Sequence, residues 1–131
     1  VKIVNAELEY LLWIHPGPSH VTTVPVVFLH GVGAGAVLYG PLLSHLAAHR
    51  CVIAVEVPGA SQGQLSEAGP AAVLDGLPAV IRIALGSQKL YDVVCHSAGG
   101  WWTSVVLRAA WRGVLESPRR VIILQSPCVV P

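Results

Sequence analysis

The chain has no methionine, a single phenylalanine and very few charges for its length of 131 residues. A newly translated chain starts with methionine, whereas this one opens with Val1, so it is expected to be processed or a piece of a longer protein. Charged residues make up 11%, against about 25% in ordinary globular domains, which excludes a disordered chain and a coiled coil. Eight Lys+Arg against seven Asp+Glu leave a net charge of +1. With no basic patch to meet a phosphate backbone, nucleic acid is not an expected partner. The length fits at most one domain.

Cysteine is also sparse. Cys51, Cys95 and Cys128 are odd in number and sit in apolar surroundings, unlike the dense, even set of a secreted disulfide scaffold. The expectation is three reduced, buried thiols, which favours the cytoplasm. No CxxC and no His/Cys ligand spacing occurs, so neither a metal nor another cofactor is expected.

Long apolar runs are missing as well. From Tyr10 to His49 there is no Asp, Glu, Lys or Arg, yet Pro16, Pro18, Pro25, Pro41, four histidines and several glycines interrupt the stretch. A spanning helix needs about 20 consecutive apolar residues, so a membrane role for this segment is not expected. Short, uncharged, β-branched runs read instead as parallel strands buried on both faces.

Several such runs are present. Val1–Ile14 reads as one or two outer strands before the His15-Pro16-Gly17-Pro18 turn. Val24–Leu29, Cys51–Val57, Leu90–Cys95 and Arg119–Leu124 read as strands. Helical spacing appears over Val37–His49, with Leu38, Leu42, Leu46, Tyr39 and Leu43 on one side. It appears again over Ala71–Leu85, where Gly76 and Pro78 are expected to bend the helix, and over Ala98–Leu115. Gly63–Gly69 reads as a polar loop. Alternating strands and helices predict an α/β fold with a mainly parallel sheet and flanking helices, whose ligands bind beyond the C-terminal ends of the strands.

Two loops at such ends carry the chemistry. Cys95-His96-Ser97-Ala98-Gly99-Gly100 joins a strand to a helix, the setting of a nucleophile elbow with serine at a strained apex. The backbones two residues before and after the serine pass close together. Gly99 suits that crowding, while Cys95 stands where glycine is usual. The opposing reading is a Ser97 that merely caps a helix. The second loop, His30-Gly31-Val32-Gly33, ends the VVFL strand, and its glycines let backbone N–H groups face a ligand. In an acyl-transfer site the N–H groups of Val32 and Ala98 would form the oxyanion hole, with Ser97 as nucleophile.

These segments, taken in order, resemble the α/β-hydrolase superfamily. VVFLHGVGAG looks like its strand and oxyanion loop, and VIAVEVPGASQG like the next strand with its Asp-x-Pro-Gly-x-Gly-x-Ser loop. VVCHSAGG looks like the elbow and LQSPCVVP like the strand and loop that follow, while LYGPLL suggests a group with an HGxGxG loop. Glu56 replaces the usual Asp and Cys95 the usual Gly. The resemblance implies a serine hydrolase acting on a small-molecule ester or related acyl substrate through a Ser–acid–His triad. It implies that the acid and histidine lie beyond this chain, which would be a truncated domain over 1–131, inactive alone. It also implies that His96 is structural. Five histidines precede Ser97 by a distance in sequence, and none is assigned as base. The last strand, RRVIIL, would then be an exposed edge beside the helix tryptophans.

Two alternatives stay open. One is a non-catalytic member of the same fold. The other reads Gly31-x-Gly33-x-x-Ala36 as a dinucleotide fingerprint, with Glu56 twenty residues on to hold a ribose.

Overall fold

The computed structural model describes residues 2–5, 8–18, 23–60 and 70–124. The expected polar loop Gly63–Gly69, His20, Cys128 and residues 125–131 lie outside them.

The strands are β1 (Lys2–Asn5), β2 (Leu8–His15), β3 (Val26–Leu29), β4 (Val52–Glu56), β5 (Asp92–His96) and β6 (Arg120–Leu124), and the helices α1 (Gly40–Ala47), α2 (Pro70–Leu85) and α3 (Gly99–Trp111). They build one six-stranded sheet in the order β1-β2-β4-β3-β5-β6. β4, β3, β5 and β6 run parallel, while β1 and β2 are antiparallel additions at one edge. The mainly parallel sheet read from the sequence is therefore present, and both outer strands form.

The central strands are uncharged because both their faces are covered. In register, Phe28 lies between Ala54 and Val94, and these residues with Val26 pack against Tyr39, Leu42, Leu43 and Leu46. On the opposite face Val27, Leu29, Ile53, Val55, Val93 and Cys95 meet α2 and α3. α2 contributes Val73, Leu77, Val80, Ile81 and Leu85, one stripe at helical spacing. Burying five such side chains is worth on the order of 10 kcal/mol before chain entropy is subtracted. α2 is continuous through Gly76 and Pro78. Gly76 is required for another reason: a Cβ there would lie 2.5 Å from the Tyr10 hydroxyl.

One expected helix divides. Residues 37–49 do not form a single α-helix; a 3-10 helix over Gly35–Tyr39 precedes α1. Pro41 sits in the first turn of α1, where its missing N–H is tolerated and its fixed φ suits a helix start. The 3-10 turn advances three residues per turn rather than 3.6. Tyr39 packs inward with Leu42 and Leu43 as expected, whereas Leu38, expected on that face, is 66% exposed.

β6 is the outermost strand at its edge of the sheet among the described residues. Ile122, Ile123 and Leu124 are exposed, and so is Trp111 on α3, while Trp101 and Trp102 pack edge to face at 4.5 Å. At the start of β5 Asp92 is buried and takes Arg119 through both carboxylate oxygens (2.9 and 2.7 Å) and Arg50 at 2.9 Å. Arg119 chiefly, with Arg50, holds the Asp92 carboxyl below its ordinary range against the opposing effect of burial. These ion pairs join β5, β6 and the turn before β4 at the sheet end opposite the candidate site.

Candidate active site

Parallel pairing sets Leu29 beside Cys95, so the loops that follow β3 and β5 leave the sheet side by side. Ser97 follows β5 with φ 52°, the sole positive φ among the described non-glycine residues. A serine in left-handed backbone costs about 1–3 kcal/mol and persists only where its surroundings enforce it. Two contacts do so. The Ser97 N–H donates to the Leu124 carbonyl at 3.2 Å, and Gly100 N–H returns to the Ser97 carbonyl at 3.0 Å. The cap position of α3 falls on Ala98, which makes no side-chain cap bond.

Gly99 is forced by crowding. A Cβ there would collide with the Leu29 carbonyl oxygen and come within 3.2 Å of the Cys95 Cβ. The missing side chain at Gly99 is what leaves room for Cys95, whose own side chain is fully buried between the sheet and α3. Burial pushes the Cys95 thiol up, partly opposed by the Thr103 hydroxyl, so it is a neutral packing group.

The glycine loop closes on the serine from the β3 side. A Cβ on Gly31 would lie 2.9 Å from Ser97 Cβ and 3.4 Å from its Oγ. Only a glycine backbone can approach so closely. The loop is tied at three N–H groups: Gly31 to the Tyr39 hydroxyl at 3.4 Å, Gly33 to the Ala60 carbonyl at 3.0 Å, and Ala36 to Glu56 Oε1 at 2.7 Å. The Val32 N–H, between two committed neighbours, makes no hydrogen bond within the described residues, nor does that of Ala98. The Val32 side chain is 77% exposed, so its backbone lies at the surface of the site.

Beneath the loop, His30 is completely buried. Val57 N–H donates to its Nε2 at 3.1 Å, so the ring hydrogen is assigned to Nδ1, which donates to the Gly31 carbonyl. Glu56 Oε2 lies 3.2 Å from the same Nε2. Glu56 is thus buried under its own loop, with Oε1 taken by the Ala36 N–H and Oε2 directed at the His30 ring. A carboxylate so placed is not presented to a ribose, which removes the feature that carried the dinucleotide reading.

Sequence reasoning missed Tyr39. Its ring lies 4.8 Å from Phe28 and 5.4 Å from His96, and its hydroxyl is 2.8 Å from His96 Nδ1. Helical spacing puts Tyr39 on the apolar side with Leu42 and Leu43, but nothing in that spacing signals the partner of its hydroxyl. His96 therefore turns toward Tyr39. Of the other described histidines, His15 accepts the Gly17 N–H at 3.1 Å, and His45 and His49 are exposed on and just after α1. Among the described residues no three His, Cys, Asp or Glu side chains group as a metal site, and no helix is long and apolar enough to cross a membrane.

A model of the alpha/beta hydrolase family matches residues 26–130. The chain belongs to that family. Among solved structures it is similar to an α/β-hydrolase fold protein from Burkholderia ambifaria (17% identity, TM-score 0.73, covering 100% of this chain and 45% of that one). It is also similar to the esterase RhEst1 from Rhodococcus sp. ECU1013 (22% identity, TM-score 0.76, 95% and 44%). A third is an N-formylmaleamic acid deformylase from Pseudomonas putida S16 (23% identity, TM-score 0.68, 97% and 46%). At such identities the likeness concerns the fold. The chain spans less than half the length of each of these three structures. No curated protein matches it by sequence.

Proposed function

We propose that the chain carries the nucleophile and the oxyanion hole of a serine hydrolase acting on a small-molecule ester or related acyl substrate. The observation that carries this reading is the left-handed Ser97 (φ 52°) at the strand-to-helix turn, with the Gly31 backbone packed against its side chain. An esterase among the structural neighbours supports an ester-type bond.

Ser97 Oγ attacks the carbonyl carbon while a histidine takes its proton. The carbonyl oxygen becomes an oxyanion held by the N–H groups of Val32 and Ala98, about 3–4 kcal/mol per donor where water is excluded. Collapse expels the alcohol, protonated by the histidine, and water then releases the acid from Ser97. In this reading the triad acid and histidine come from polypeptide outside residues 1–131.

A fluorophosphonate probe tests the reading. The 131-residue chain should label little or not at all, lacking a base. A chain extended through the remaining part of the domain should label at Ser97, and Ser97→Ala should abolish the labelling. Equal ester hydrolysis by the extended Ser97→Ala protein would refute the nucleophile. A folded extended chain that never labels would leave a non-catalytic member of the fold.

A further inference from the structure

We propose that Tyr39 is a positioning residue for this site, its hydroxyl joining the Gly31 backbone N–H to the His96 imidazole so that glycine loop and serine turn keep one spacing. The hydroxyl touches both loops: Gly31 N–H at 3.4 Å and His96 Nδ1 at 2.8 Å. Its significance for catalysis rests on Ser97 being the nucleophile.

The proton order follows from using every hydrogen. Oη accepts the Gly31 N–H on a lone pair and directs its own hydrogen to His96 Nδ1, which leaves the His96 hydrogen on Nε2. The reverse, with Nδ1–H donating, would strand the phenolic hydrogen in a half-buried position. This chain has two effects. It occupies the Gly31 N–H, so that with Gly33 bound to Ala60 the Val32 N–H lies between two committed neighbours. It also anchors the residue immediately before Ser97, where the backbone turns into its strained conformation. An oxyanion donor is effective only if it is already aimed when charge develops, and Tyr39 aims one by holding its neighbour.

The ring itself is wedged between Phe28 and His96. Tyr39→Phe therefore removes the hydroxyl while keeping the packing, and it separates positioning from structure.

The test uses the longest natural chain containing these residues. Three readouts are expected to move together in Tyr39→Phe. The His96 ring ¹⁵N shifts should leave the Nε2–H pattern, and Gly31 amide exchange should accelerate about tenfold. Ester hydrolysis should lose about tenfold in kcat with KM within about twofold, because the loss falls on the transition state. The double variant Tyr39→Phe/His96→Leu should be no slower than the slower single variant, since both changes break one connection. Unchanged His96 shifts and Gly31 exchange would overturn the link, and an unchanged kcat would overturn its catalytic role. Retained hydrolysis in Ser97→Ala would sink the nucleophile instead, leaving the nitrogen and exchange readouts to judge the link by themselves.

Discussion

The carboxylate of Glu56 fills the space in which a side chain on Gly35 would begin. Gly35 also has φ +78°, so glycine is demanded twice, by backbone and by contact. The longer Glu, standing where relatives of this type were expected to carry Asp, reaches under the loop to accept the Ala36 N–H at 2.7 Å. Glycine and glutamate here are one fitted pair.

That pair can be tested by stability. Gly35→Ala should cost about 2–4 kcal/mol, combining left-handed strain with overpacking, read as a lower urea midpoint. Adding Glu56→Asp, which draws the carboxylate back, should recover part of the loss. Strict additivity of the two changes would show that the contact is not the cause.

Gly99 offers a contrast without left-handed backbone. Gly99→Ala should destabilise by at least about 2 kcal/mol, since its Cβ meets the Leu29 carbonyl, a backbone atom that cannot swing away. Gly40→Ala is the comparison: beyond its chain neighbours an added Cβ meets nothing within 4 Å, so only the restriction from the following Pro41 opposes it and it should cost less than Gly99→Ala. Chemical denaturation of both variants side by side decides it.

The strain at Ser97 predicts that chemistry and stability part company. Ser97→Ala and Ser97→Gly both delete the hydroxyl, but alanine keeps a Cβ at φ 52°. The glycine variant should be the more stable by about 1 kcal/mol. A glycine variant no more stable than the alanine one would show that the backbone there stores no strain.

Asp92 predicts an acid limit. Its folded carboxyl is held low, first by the Arg119 hydrogen bonds, so its value falls on folding. Stability from this group is complete above its unfolded value of about 4 and is lost as pH falls through the folded one. Asp92→Asn should be less stable by about 2–3 kcal/mol at pH 7, a buried charge cluster losing its anion while its arginines stay partly exposed. The gap should narrow steadily below about pH 4 in urea titrations. A gap independent of pH would assign the cost to packing.

Uncharged β-branched runs, the two glycine-bearing loops and their order along the chain are local properties, and they sufficed for the parallel sheet and for setting the turns at Ser97 and Val32 at one end of neighbouring strands. Gly99 could be read as well, because its crowding comes from the strand and helix it joins. What sequence could not supply was the meaning of contacts between distant residues. Glu56 twenty residues after Ala36 fits a ribose ligand or a carboxylate folded under its own loop equally well, and only the register of β3 on β4 decides between them. Cys95 looked like an obstruction until its side chain was seen to use the space Gly99 leaves. Tyr39 looked like one more apolar helix position, because periodicity reports which face is buried and not the polar partner of a hydroxyl, here His96, 57 residues away. Patterning governs which faces are buried; which polar atoms then meet depends on rotations and spacings that exist only once the elements have packed.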